Sequence, residues 1–116
     1  MPIFTLFTNV SKSKISGEFI KSTTKVLASV LNKPEQVVWV HVIPDQDTLA
    51  FGGSQEPCAY GTVASIARFN WEYNKNVAPP ISAHLSKSLG IDGSRIAIRF
   101  DDINPTHIAY DGVLKA

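Results

Sequence analysis

The apolar pattern of the chain occurs twice, and the two copies lie 58 residues apart. Each copy places two leucines one helical turn apart and then three apolar residues at alternate positions. The copies are Leu27, Leu31, Val38, Val40 and Val42, then Leu85, Leu89, Ile96, Ile98 and Phe100. Four-residue spacing is typical of a helix face and two-residue spacing of a strand. The repeat predicts a duplicated helix–strand unit, against the alternative that common apolar residues recur by chance.

A further strand precedes each predicted helix. Residues 2–10 alternate with period two, and residues 58–66 follow a Gly-rich turn at 51–57. With strands at 37–43 and 95–100, the order strand, helix, strand occurs twice. The simplest architecture is a two-layer α/β (α+β) fold, in which two pseudo-repeated βαβ units form one four-stranded mixed sheet with both helices on one face. Turn signals after residue 103 predict short strands in the tail.

The helix boundaries follow from prolines and a glycine. The first helix is predicted from Ser16 to Lys33, because Pro34 disfavours helical geometry in the residue before it. The second is predicted at about 80–89, with Gly90 as its cap, because Pro79-Pro80 is not expected in a helix interior. Strand 37–43 is apolar on both faces, which indicates cover on both sides. Since the predicted helices leave one sheet face bare, we expect an oligomer to cover it.

Composition excludes several classes of protein. A chain of 116 residues with 44% hydrophobic content predicts one domain over 1–116. Its 11 basic and 10 acidic residues are not clustered, so neither nucleic acid nor a membrane surface is an expected partner. No apolar run approaches the ~20 residues of a membrane span, and no signal-peptide pattern is present. We expect synthesis in the cytoplasm, and secretion would need a leaderless route.

The second residue, Pro2, suggests chemistry. Removal of Met1, usual before a small residue, would leave a secondary amine at the N-terminus. A free α-amino group has an ordinary pKa of about 7.7–8.0, and burial or a nearby cation lowers it further. Such an amine suits a general base that moves a proton beside a carbonyl group. The alternative is that Pro2 merely begins an edge strand.

Four segments carry a family resemblance: "MPIFTLFTNV", "NKPEQVVWVHVIPDQ", "FGGSQEPCAYG" and "VASI". Together they resemble the macrophage migration inhibitory factor family, including the dopachrome tautomerases. The resemblance implies the tautomerase fold, a homotrimer, and pockets at the subunit interfaces. It also implies cofactor-free keto–enol isomerisation of phenylpyruvate-like or dopachrome-like substrates, with Pro2 as the catalytic base.

The resemblance also implies the roles of individual residues. Lys33 of the "KP" pair would lie beside Pro2 and hold a carboxylate or carbonyl oxygen. Arg99, from a neighbouring subunit, would anchor the substrate carboxylate, as its likeness to the dopachrome branch implies. The alternative for Arg99 is a solvated charge on a strand. The remaining substrate-binding positions are apolar or small, and ordinary strand packing is the alternative for each: Ile3, Ser65, Ile66, Ile108 and Tyr110.

Several positions depart from the family pattern. Ala97 and Val37 stand where tyrosines are common, and Lys115 falls where a phenylalanine usually closes the site. Weak turnover of aromatic test substrates is therefore expected. The rival reading is a non-enzymatic cytokine-like ligand for a cell-surface receptor, with Lys12 and Asp45 as candidate contacts. A binding protein without catalysis is a third reading, but no residue supports it.

Metal and thiol chemistry have weak support. His41, His84 and His107 are scattered, so packing or a hydrogen bond is the expected role for each, and no metal is predicted. Cys58 is the only cysteine, which excludes an internal disulfide. Gly61 occupies the second position of a Cys-x-x-Cys pattern, so a two-thiol mechanism is disfavoured and Cys58 is expected to be a buried small hydrophobe.

Overall fold

The computed structural model describes residues 1–115. The chain forms β1 (Ile3–Thr8), α1 (Gly17–Val30), β2 (Trp39–Ile43), β3 (Ala59–Ile66), α2 (Trp71–Leu89), β4 (Ile96–Ile103), β5 (Ala109–Tyr110) and β6 (Val113–Leu114). Short 3-10 helices occupy Lys12–Lys14, Glu35–Val37, Gly93–Arg95 and Pro105–His107. In the described part of the chain, no helix is both long and apolar enough to span a membrane.

The sheet confirms the duplicated unit. Its strand order is β2-β1-β3-β4; each outer strand runs parallel to its inner neighbour, while β1 and β3 are antiparallel. Equivalent residues of the repeat have matching environments: Leu27 and Leu85 are both fully buried, as are Leu31 and Leu89. They belong to one core cluster with Phe4 and the other inward residues, so both helices cover the same sheet face.

The second helix corrects the prediction of 80–89, because it begins at Trp71 and contains Pro79 and Pro80. Asn70 starts it, since its side-chain oxygen accepts a hydrogen bond from the Tyr73 amide at 2.9 Å. A buried stripe runs straight past the two exposed prolines: Val77, Ile81, Leu85 and Leu89. Burial of this stripe outweighs the local cost of the prolines. Gly90 ends the helix with φ of 68°, as predicted.

Other boundaries differ by a few residues. The first strand ends at Thr8 instead of residue 10, and the first helix ends at Val30 instead of residue 33. The second strand starts at Trp39 because Glu35–Val37 forms a 3-10 helix, and the fourth strand continues to Ile103. The tail carries two short paired strands, as predicted.

The prediction that the second strand is covered on both sides is wrong for a single chain. Trp39 is 57% exposed because β2 is an edge strand and the helices cover one face only. We call the other face the open face, which carries Ile3, Thr5, Phe7, Trp39, His41, Ile43, Tyr60, Thr62, Ala64, Ala97, Arg99 and Asp101. It is less uniformly apolar than expected, since a polar row crosses its middle: His41, Thr5, Thr62 and Arg99.

Candidate functional site

The start of β1 borders a cavity of about 450 Å³. The residues that line it come from four places: the N-terminus, the α1–β2 connection, the end of β3, and the tail. They are Met1, Lys33, Pro34, Val37, Ile66, Tyr110 and Lys115. We call this the N-terminal cavity.

Topology explains why these segments meet. Strand β1 lies between a parallel neighbour and an antiparallel one. The beginning of β2 and the end of β3 therefore both lie beside the beginning of β1, where Ile3 pairs with Trp39 and Ala64. The segment before β2 supplies Lys33, and the end of β3 supplies Ile66.

The helix terminus fixes the backbone of Lys33. Asn32 adopts the left-handed conformation with φ of 52°, a geometry that asparagine tolerates well. The amide of Lys33 then donates to the Ala28 carbonyl at 2.9 Å, and that of Asn32 donates to the Ser29 carbonyl at 3.3 Å. This pair of bonds is a Schellman motif, which ends α1 and turns the chain toward the cavity.

Pro2 does not itself line the cavity but follows Met1, which does. It is fully buried, and its carbonyl accepts a hydrogen bond from the Trp39 amide at 2.9 Å, which extends the β1–β2 pairing. Met1, also buried, lines the cavity in its place. The terminal amine carried by Met1 is therefore at the cavity, one residue from the predicted base.

The surroundings of this amine disfavour its charged form. Burial lowers the pKa of the Met1 amine below its ordinary value, and the charges of Lys33, Lys115 and Arg68 lower it further. The cavity therefore holds an amine that loses its proton more readily than one in water. Among its lining residues within 1–115, none is acidic.

Arg68 was missed by the sequence reading. Its guanidinium donates to the Leu31 carbonyl and to the Tyr73 hydroxyl, and it lies 5.6 Å from the centre of the Tyr73 ring. The Asp102 carboxylate accepts from the Arg68 amide at 3.0 Å and from the next amide at 2.8 Å, which anchors the loop after β3. Nothing local in "ARFN" marks this arginine, since its position depends on partners distant in sequence.

The predicted substrate-binding residues have different environments. Lys33, Ile66 and Tyr110 line the N-terminal cavity. Ile108 accepts a hydrogen bond from the Lys115 amide through its carbonyl, at 3.2 Å, and Ile3 is half-buried on the open face. Ser65 is only 1% exposed, and its hydroxyl has no partner among residues 1–115. Val37 and Lys115, both noted as departures, also line the cavity.

Arg99 lies elsewhere in the chain, on the open face. Its Nε is 2.9 Å from a carboxylate oxygen of Asp101, and its side chain is 78% exposed. It does not line the N-terminal cavity of its own chain. Its service to a neighbouring subunit stays a prediction.

Lys12 and Asp45 meet on the surface. The Asp45 carboxylate accepts from the backbone amide of Lys12 at 3.2 Å, and the Asp45 amide donates to the Val10 carbonyl at 2.9 Å. Both residues are exposed. The contact closes a loop, and the receptor-binding role stays a prediction.

Cys58 and His84 are structural. Cys58 is buried, as expected for a small hydrophobe. The His84 ring stacks on Phe19 at 5.7 Å, and its Nε2 is 2.9 Å from the hydroxyl oxygen of buried Thr23. Burial lowers the pKa of His84. Within residues 1–115, no group of three or more His, Cys, Asp or Glu side chains is placed to hold a metal.

Comparisons with known proteins agree with these observations. The chain matches the family model described as macrophage migration inhibitory factor over residues 1–116. A macrophage migration inhibitory factor homolog from Trichuris trichiura is 39% identical over 112 residues, 97% of each chain. The Xenopus tropicalis macrophage migration inhibitory factor is 33% identical over 97% of this chain and 96% of its own. The solved structure from Trichinella spiralis superposes with a TM-score of 0.91 at 35% identity, covering 97% of this chain and 98% of that one. The resemblance is confirmed.

Proposed function

Since the chain belongs to the macrophage migration inhibitory factor family, we propose that it is a cofactor-independent keto–enol tautomerase acting on aromatic α-keto acids, with the amine of Pro2 as general base. The observation that carries this proposal is the terminal amine at the N-terminal cavity, whose pKa is lowered by burial and by Lys33, Lys115 and Arg68. A base works best when its pKa lies near the operating pH.

Removal of Met1 is part of the proposal. While Met1 is attached, the Pro2 nitrogen belongs to an amide and cannot accept a proton. Removal would free that nitrogen as a secondary amine and take away the Met1 side chain that lines the cavity. Because adjacent residues of a strand are only about 3.3 Å apart, the same cations would act on the new amine.

The chemical steps need only the amine and the cations. The neutral Pro2 amine takes a proton from the carbon between the carbonyl and the aromatic ring, and the electron pair moves onto the carbonyl oxygen as an enolate. Lys33 stabilises this negative charge. The protonated amine then returns its proton to the oxygen, which completes the conversion from keto to enol form.

We also propose a homotrimer. The open face exposes Trp39 by 57% and Tyr60 by 50%, and the tail exposes Val113 by 67%, so a single chain leaves large apolar side chains in water. Neighbouring copies would cover them. In such an assembly, Arg99 of one copy would reach the cavity of the next and grip the substrate carboxylate.

The proposal is tested by measuring phenylpyruvate tautomerisation by the wild-type protein and by its Pro2→Gly variant. We expect Pro2→Gly to lose most activity while its mass in solution stays unchanged, and Pro57→Gly, an exposed proline outside the cavity, to keep it. Intact mass spectrometry should show Met1 absent. In the natural form, Lys33→Met should move the rising limb of the pH–rate profile to higher pH, because a cation that lowers the amine pKa is gone.

The second candidate is a non-enzymatic, cytokine-like ligand. It is favoured by Val37 and Lys115, which line the cavity where aromatic residues were expected, and by the exposed Lys12 and Asp45. A wild-type protein inactive on several keto acids, whose binding to cells survives Pro2→Gly, would decide for this function. Unchanged tautomerase activity in Pro2→Gly would rule out Pro2 as the base.

A further inference from the structure

Lys115 lines the N-terminal cavity, and two contacts hold it there. Its amide donates to the Ile108 carbonyl at 3.2 Å, which fixes the backbone. Its ammonium lies 5.6 Å from the centre of the Tyr110 ring, within the range of a cation–π contact. Tyr110 in turn pairs with Val113 in the β5–β6 hairpin. Lys115 is an exposed residue, but both its backbone and its ammonium group have a defined contact.

The cavity carries more positive charge than a simple keto acid can match. Lys33 and Lys115 both line it, and neither makes a salt bridge with an acidic side chain within residues 1–115. A substrate with one carboxylate can engage one lysine directly. The second lysine then faces the cavity without an anionic partner, beside the apolar surface of Val37, Ile66 and Tyr110.

We propose that Lys115 makes the cavity selective for keto acids that carry a second anionic group, such as a carboxylate on the aromatic ring. This inference rests on the proposed tautomerase function and narrows its substrate class. Lys33 would bind the carboxylate or carbonyl oxygen next to the reacting carbon, and Lys115 would bind the distant anion. The apolar lining would contact the carbon skeleton between them. A phenylalanine at this position would cover a neutral ring instead.

Binding of unreactive ligands isolates the effect of the second charge. We would titrate the wild-type protein by calorimetry with phenylpropanoate and with its meta- and para-carboxy derivatives, which carry one additional carboxylate on the ring. Because Lys115 would make a partly exposed, charge-assisted hydrogen bond to the second carboxylate, we expect at least one dianion to bind about tenfold more tightly than phenylpropanoate. The preference should shrink as salt is raised.

Variants then assign the preference to one residue. Lys115→Met should remove most of the roughly tenfold preference for the dianion and change the affinity for phenylpropanoate less than about twofold. Lys33→Met should weaken both kinds of ligand. Lys87→Met, an exposed lysine near the end of α2, is the matched control and should leave all affinities unchanged.

The outcomes separate this inference from the function on which it rests. Equal affinity for phenylpropanoate and its dianions, or a preference that survives Lys115→Met, overturns the role of Lys115 even if phenylpyruvate is turned over. The preference for the dianion could depend on Lys115 while the protein turns over neither phenylpyruvate nor its carboxy derivatives. That result supports the dianion-binding role of Lys115 and refutes the proposed tautomerase function. Turnover of a carboxy derivative with higher kcat/KM than phenylpyruvate, lost in Lys115→Met, supports both.

Discussion

Gly61 lets the two central strands approach each other. It is buried in β3 opposite Leu6 of β1. A Cβ at this position would lie 2.4 Å from the Thr5 carbonyl oxygen and 3.3 Å from the Leu6 Cα. Both contacts are with backbone, so no side-chain rotation can relieve them. Gly61→Ala therefore forces β1 and β3 apart.

The expected cost follows from the size of the clash. Ordinary carbon–oxygen contacts between strands are about 3.3–3.6 Å, so the strands must separate by about 1 Å. Overpacking of this kind costs about 1–3 kcal/mol, and alanine returns about 0.5–1 kcal/mol because glycine loses more chain entropy on folding. We expect Gly61→Ala to lower the free energy of unfolding by about 1–2 kcal/mol and the urea midpoint by roughly 1 M.

Urea unfolding at one fixed protein concentration measures this difference. Gly93→Ala is the control, because a Cβ there meets nothing within 4 Å and its backbone is not left-handed. Its free energy of unfolding should stay within about 0.5 kcal/mol of the wild type. If Gly61→Ala and Gly93→Ala unfold at the same urea concentration, the close approach of β1 and β3 is wrong. The same clash would apply to a cysteine at position 61, so completing a Cys-x-x-Cys pattern with Cys58 would also force the strands apart.

Two further predictions concern stability. Because burial lowers the pKa of His84, the unfolded chain takes up a proton at a pH where the folded ring stays neutral. The stability that the neutral ring contributes should be complete above about pH 6.5 and be lost as the pH falls through the folded-state pKa. Urea titrations at several pH values should show a weaker pH dependence of stability for His84→Gln than for the wild type. An equal pH dependence in the two proteins would contradict this role of His84. Leu27 and Leu85 occupy equivalent positions of the repeat and are both 0% exposed. Leu27→Ala and Leu85→Ala should each cost about 2–5 kcal/mol in urea unfolding, and a loss below about 1 kcal/mol for either would argue against a shared core.

The sequence predicted the parts of the fold that depend on local pattern. Strand alternation, the leucine spacing and the cap at Gly90 all come from residues close together in the chain, and the structure confirms them. The start of α2 was not predictable in this way. Pro79 and Pro80 signal a helix boundary locally, while the burial of Val77 against distant strands keeps the helix intact.

In the candidate site, too, the sequence predicts only those residues whose position depends on neighbours close in the chain. Lys33 has a local signal, since Asn-Lys-Pro at a helix end fixes both the turn and the lysine. Arg68 has none, because its partners are Leu31, Tyr73 and Asp102, which the fold brings together. Lys115 was noted only as a departure from the family pattern. Its role as a cavity cation depends on the tail lying against Ile108 and Tyr110.

The repeat explains why the proposed chemistry belongs to one end of the sheet. If the two βαβ units are equivalent, a cavity beside the start of β1 should have a counterpart beside the start of β3. The structure has one of about 100 Å³, lined in part by Ala59, Tyr60 and Arg95, where Ala59 and Arg95 are the repeat equivalents of Met1 and Val37. The second cavity also contains a cation, but its Ala59 nitrogen is a peptide nitrogen and cannot act as a base. The fold therefore supplies a cationic cavity twice, and the terminal amine distinguishes the one to which we assign the proposed proton transfer.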